Sequence, residues 1–146
     1  MDKIIQIKSQ KRVKELGEVY TPPVLVREIL NLWPQSVWSN KEEILENACG
    51  NGNMIVEIVK KKLETGCTPL EALATTKGVD IMHDNVEECQ LRLQKVVVDL
   101  LDKNDFFEAC KIISNNIRVG NSLQQSLEEI FSPLPGAQNV MQEYED

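Results

Sequence analysis

Apolar positions along the chain fall into two alternating patterns. At helical spacing, Val24, Val26, Ile29, Leu30 and Trp33 follow Pro23, and Pro34 stops the run, which predicts a helix over residues 23–33. Met54, Ile55, Ile58, Val59 and Leu63 repeat the pattern over 53–64, and Val86, Cys89, Leu93, Val96, Val97 and Leu100 do so over 85–101. Shorter helices are expected at 70–74, behind the start signal Thr68-Pro69, and at 106–113 and 124–131. Between them stand short runs of strand type at 44–46, 76–81 and 116–119. Strands alternating with helices call for a parallel sheet with right-handed crossovers, in the order three-two-one, the first half of a doubly wound α/β fold. Residues 1–14 read as an arm with a short strand at Ile4-Ile5-Gln6-Ile7.

The junction after the first strand carries the most chemistry. Ile44-Leu45-Glu46 runs through Asn47-Ala48-Cys49-Gly50-Asn51-Gly52 directly into the helix that begins at Asn53. Gly50 and Gly52 permit positive φ and leave no Cβ in the way, so a ligand can meet the main chain beside the positive end of the helix dipole. Strand, glycine turn and helix build a pocket of nucleotide type, suited to an adenosine-like shape. Pyrophosphate is not the favoured ligand. Ile55 occupies the place of the third glycine in a dinucleotide fingerprint, and no Gly-Lys-Ser/Thr follows. Taken alone, the turn also fits an ordinary strand-to-helix connection.

Three further segments join it in order. Gly17-Glu18-Val19-Tyr20-Thr21-Pro22-Pro23 precedes the first helix, Gly78-Val79-Asp80-Ile81 ends the second strand, and Arg118-Val119-Gly120-Asn121-Ser122-Leu123 ends the third. With the glycine turn, they resemble the cofactor half of adenine-specific DNA methyltransferases of restriction-modification systems. That family carries Gly-x-x-Phe/Tyr-Thr-Pro, an Asp/Asn-Pro-Ala-Cys-Gly-Ser-Gly turn, an acidic residue after the second strand, and Gly-Asp/Asn-Ser-Leu after the third. The resemblance spans residues 15–123 and departs at Asn47, where proline is usual, and Asn51, where serine is usual.

The resemblance implies a three-layer doubly wound parallel sheet of the class I S-adenosylmethionine-dependent methyltransferase kind, cut short after the third strand. It implies S-adenosylmethionine or S-adenosylhomocysteine as ligand, with Tyr20, Thr21 and Pro22 against the methionine part. Ala48 and Gly50 would let the backbone touch the cofactor, and Glu46 would face its ammonium or sulfonium charge. Asp80, with Ile81 beside it, would accept the ribose hydroxyls, and Asn121 would pair with the adenine amino edge. Local roles compete at each site: Asp80 as a helix cap, Thr21-Pro22-Pro23 as a helix start, Asn121-Ser122 as a plain turn. His83 reads as a solvated helix start, and Lys60-Lys61-Lys62 as a solvated helix face.

Enzymes of that family also carry Asn/Asp/Ser-Pro-Pro-Tyr/Phe/Trp after the fourth strand, to hold and stack the flipped base. This sequence has no such tetrapeptide. Ser132-Pro133-Leu134-Pro135 replaces the second proline by leucine and the aromatic by proline, and reads as a turn. No catalytic residue is assigned for that reason.

Composition narrows the partners. The 146 residues suffice for one modest core, here an arm over 1–14, a cofactor domain over 15–123 and an acidic tail over 124–146. A net charge of −7 argues against this chain gripping DNA by itself, so DNA contact is expected to be weak or through a partner. The arm, with Lys3, Lys8, Lys11, Arg12 and Lys14, is the one plausible phosphate-contacting segment, and a solvated arm is its other account. Cys49, Cys67, Cys89 and Cys110 lack metal-ligand spacing and fit reduced, mostly buried thiols of a cytoplasmic protein; no apolar run spans a bilayer. With no fourth strand in view, the open edge of the first strand calls for a second copy, a partner chain, or cover from Leu127, Ile130, Phe131 and Leu134. Two other functions stay open: an interaction or regulatory module that keeps the fold without the cofactor, and one half of a split methyltransferase.

Overall fold

The computed structural model describes residues 21–132 and Leu134. The basic arm, its Ile4–Ile7 strand, Tyr20 and the tail after Leu134 lie outside the described residues. The elements are α1 (Pro23–Asn31), α2 (Gln35–Ser39), β1 (Ile44–Glu46), α3 (Asn53–Glu64), α4 (Pro69–Ala74), β2 (Thr76–Asp80), α5 (His83–Val97), α6 (Lys103–Asn116), β3 (Ile117–Val119) and α7 (Leu127–Ile130). A single 3-10 turn, Val98–Leu100, follows α5 and replaces the last turn of the expected long helix. Helix α2 was not foreseen, because five residues between Pro34 and Asn40 are too few to establish a period.

The sheet is open and parallel, ordered β1-β2-β3, with Ile44 opposite Thr76 and Gly78 opposite Ile117. This matches the expected order and places β2 centrally. Alternation puts Ile44, Thr76, Gly78 and Ile117 on one face and Leu45, Lys77, Val79 and Arg118 on the other. The first face packs under α3, α5 and α6 through Ile55, Val59, Cys89, Leu93, Ile112, Ile113 and Ile117. A smaller cluster of Val26, Leu30, Trp38 and Ile58 fixes α1 and α2 on α3. Val24, expected on the buried face of α1, is 61% exposed, since only the Val26–Leu30 stripe meets α3.

Short α7 turns onto the second face. Phe131 lies under the Lys77 ammonium, Ile130 packs against Gly120, and the Arg118 Nη1 donates to the Ser132 carbonyl at 2.9 Å. The Leu134 N–H donates to Asn115 Oδ1 at 3.1 Å. Of the residues offered as cover for β1, Phe131 and Ile130 therefore sit at β2 and the end of β3, Leu134 reaches the end of α6 and Leu127 is exposed; among the described residues no strand pairs with the outer edge of β1.

Two buried polar side chains join the ends of elements. Asn116 Nδ2 donates to the carbonyls of Leu73 and Ala74 at 3.0 and 3.2 Å, satisfying the end of α4. Lys62 is only 1% exposed and donates to the Thr75 carbonyl, Thr75 Oγ1 and the Glu42 carbonyl at 2.7, 2.8 and 3.0 Å. This corrects its reading as a solvated residue. Lys60 and Lys61 are at or near the surface, but Lys62 shares the inner side of α3 with Ile58 and Val59. Burial pulls its ammonium down from 10.5 to about 8, and the nearby Cys67 and Glu43 partly oppose that.

Candidate functional site

The carboxyl ends of the three strands are stitched into one rim. The Cys49 N–H donates to the Val79 carbonyl at 2.8 Å, joining the β1 turn to β2. The Gly120 N–H donates to the Asp80 carbonyl at 3.0 Å, joining β3 to β2. The Ser122 hydroxyl donates to the Asn47 carbonyl at 3.3 Å and closes the ring from β3 back to β1. Three of the segments singled out in the sequence thus meet at one place.

The glycines divide the work of the turn. Gly52 sits at φ +99°, and a Cβ there would stand 2.8 Å from Cys89 Sγ and 3.2 Å from Cys89 Cα, so α5 approaches as only glycine allows. Gly50 sits at φ +55° with open space where a Cβ would point, leaving main chain bare toward solvent. From α5, Arg92 Nη1 donates to the Asn51 carbonyl at 3.0 Å and to Asn53 Oδ1 at 2.7 Å. Glu88 Oε2 accepts the Asn51 amide at 2.8 Å. The asparagine standing where serine is usual is therefore part of a clamp on the turn. Beneath it, the hydrogen bond with Cys89, then burial, push the Cys49 thiol well up, so it stays protonated.

Asp80 is the hub. Its Oδ1 accepts the Gly50 N–H at 3.1 Å, and its Oδ2 accepts the Met82 N–H and Asn85 Nδ2, each at 3.0 Å. The carboxylate thus holds the turn and the start of α5 together, and Asp80 is half-buried at the rim. Glu46 accepts the Ala48 N–H at 3.3 Å, while Ala48 itself is exposed at the lip. Ile81 is 52% exposed beside Asp80, an apolar surface that the fold leaves uncovered.

The remaining candidates are placed less directly. Asn121 Oδ1 accepts the Leu123 N–H at 3.0 Å, and its own N–H donates to Gln125 Oε1 at 2.7 Å, so its side-chain oxygen serves the local turn. Thr21 and Pro22 stand just before α1, which packs on α3. Among the described residues no hydrogen bond joins them to the glycine turn. Tyr20 lies outside the described residues. His83 is exposed and pairs with Glu87 at 2.9 Å, a solvated helix start.

Sequence reasoning missed Asn85, Glu88 and Arg92, and it named Ser122 in the third-strand motif without giving it a role beyond a turn. Of the three missed, only Asn85 left a signal: it falls one helical turn before Cys89 on the apolar stripe of α5, and it is 1% exposed. Among the described residues no group of three His, Cys, Asp or Glu side chains is placed to hold a metal ion, and no helix is long and apolar enough to cross a membrane. A cavity of about 570 Å³ beside Trp33, Val37 and Ile44, and one of about 180 Å³ between Arg27 and Lys61, lie away from the rim.

The sequence model of a family described as N-6 DNA methylase matches residues 2–136. No curated protein and no solved structure matches the chain.

Proposed function

The chain belongs to the N-6 DNA methylase family, and from that premise we propose that its rim is the S-adenosylmethionine site of a class I methyltransferase-like fold. The observation that carries this reading is the Asp80–Gly50 hydrogen bond at 3.1 Å, which brings an acidic strand end and a bare glycine turn to one point. The donor set suits the ligand. A half-buried carboxylate can receive a ribose hydroxyl, Gly50 offers main chain without a Cβ, and exposed Ile81 offers an apolar face for a purine. Glu46 supplies negative charge where the ligand's sulfonium or ammonium would lie. When bound, S-adenosylmethionine supplies an electrophilic methyl group. The role of Asn121 narrows: with Oδ1 committed to Leu123, it would contribute through its amide nitrogen or its position in the turn. Thr21, Pro22 and Tyr20 remain proposed neighbours of the methionine part.

The chain alone is proposed to bind without methylating, because the family's Asn/Asp/Ser-Pro-Pro-aromatic tetrapeptide is absent from the sequence. One half of a split methyltransferase is the reading favoured next, since the outer edge of β1 has no neighbour among the described residues. A module that has kept the fold and lost the cofactor is the remaining alternative.

Calorimetric titration with S-adenosylmethionine tests the proposal. Saturable binding that falls tenfold or more in Asp80→Ala supports it, in line with about 1–3 kcal/mol for a buried hydrogen-bond partner left unmade. Folded wild-type protein that shows no binding at millimolar ligand rejects it in favour of the cofactor-free module.

A further inference from the structure

Asp80 is more heavily used by the protein itself than a carboxylate reserved for a sugar would be. A carboxylate offers about four lone-pair positions, two on each oxygen. Here Oδ2 receives two donors, the Met82 N–H and Asn85 Nδ2, and Oδ1 receives one, the Gly50 N–H. A single position is left, on the oxygen that faces the glycine turn. Two vicinal hydroxyls binding one to each oxygen would need a vacancy on Oδ2, and Asn85 closes it.

We infer that Asn85 is a specificity-determining positioning residue that limits Asp80 to one hydroxyl of a bound ribose. The inference rests on the cofactor reading above. Asn85 suits the role because it is 1% exposed on the inner stripe of α5, so its amide is held by the fold rather than by solvent. The Met82 N–H approaches along the main chain and cannot swing away without unwinding the entry to α5. Asn85 is thus the side chain whose removal would reopen Oδ2. The chemical consequence is a site that reads one ribose hydroxyl strongly and the other weakly.

Calorimetry with S-adenosylhomocysteine and its 2′-deoxy and 3′-deoxy analogues tests this on the wild-type chain. The expected result is asymmetric: one analogue binds within about threefold of the parent, and the other at least tenfold more weakly. Asn85→Ala and Asn85→Ser are expected to make the tolerated analogue discriminated as well, as Oδ2 becomes available to the second hydroxyl. A merely structural role for Asn85 would weaken all three ligands in proportion and leave their ratios unchanged, which overturns the inference. So does a wild-type chain that loses tenfold with both analogues, or with neither. Should both variants fail to fold, Asn85→Asp, which keeps the size of the side chain and removes the donated amide, takes their place with the same expected and overturning ratios. A folded wild type that binds none of the three ligands fails at the earlier step, overturning the cofactor reading and this inference together.

Discussion

Asp80 accepts the Gly50 N–H at 3.1 Å across 30 residues of sequence, so the residue that ends β2 holds the turn that follows β1. Parallel pairing sets the two strand ends side by side, and the buried Gly52 lets α5 close against the turn from the other flank. The turn is therefore held by hydrogen bonds from the strand side, and by packing at Gly52 and hydrogen bonds from Arg92 and Glu88 on the helix side.

The two glycines of the turn should respond differently to the same change. Gly52→Ala places a Cβ 2.8 Å from Cys89 Sγ at φ +99° and is expected to cost about 2–4 kcal/mol of stability. Gly50→Ala meets open space at φ +55° and should cost about 1 kcal/mol. Urea denaturation measures both, and equal losses would contradict the assignment of packing to Gly52 alone.

Much of this was legible in the sequence and some was not. The strands, their order and the glycine turn followed from local patterns: apolar runs, Gly50 and Gly52, and the start signal at Thr68-Pro69. The burial of Lys62 was hidden inside Lys60-Lys61-Lys62, because its acceptors, the carbonyls of Glu42 and Thr75, are assembled only by tertiary packing. The engagement of Asp80 was hidden for the same reason. Its capping role and its proposed ligand role looked like alternatives, yet the carboxylate already serves the turn and the helix start while remaining at the rim. Asn121 went the other way, its oxygen taken by a neighbour two residues on.

Lys62 gives the fold a pH signature. Its folded ammonium loses its proton at about 8 rather than 10.5, so between those values the unfolded chain binds more protons. Its contribution to stability is then fully present above 10.5 and is lost as pH falls toward 8, by up to about 3 kcal/mol. The Cys49 and Cys67 thiols, shifted up in the fold, titrate in the opposite sense and are present in both proteins, so the difference between wild type and Lys62→Met reports on Lys62 together with its coupling to Cys67. Denaturation from pH 8 to 10.5 should show wild type gaining stability relative to Lys62→Met; a constant difference would contradict this.

The edge of β1 should promote association. The Ile44 N–H donates inward to the Thr75 carbonyl, so the N–H and C=O of Leu45 point to the outer side, where no strand pairs among the described residues. Light scattering at tens of micromolar is expected to show self-association, and Leu45→Pro should suppress it without unfolding the sheet, since proline is tolerated where the N–H is unpaired. A clean wild-type monomer would count against the open edge as a contact.

Methylation by this chain alone is not expected. A flipped adenine would lack an aromatic stacking partner, worth roughly 1–3 kcal/mol, and the acceptors that orient its amine. Transfer of labelled methyl groups to DNA with this chain as the sole protein would refute that.

Amide chemical shifts on titration with S-adenosylhomocysteine would report directly whether the rim at the carboxyl ends of the strands takes the ligand. Saturable shifts are expected, concentrated at Ala48, Gly50, Ile81, Met82 and Gly120 to Ser122, with the midpoint moved to at least about tenfold higher ligand in Asp80→Ala. Shifts centred instead on Trp33, Val37 and Ile44, or none at millimolar ligand in a folded chain, would contradict binding at the rim.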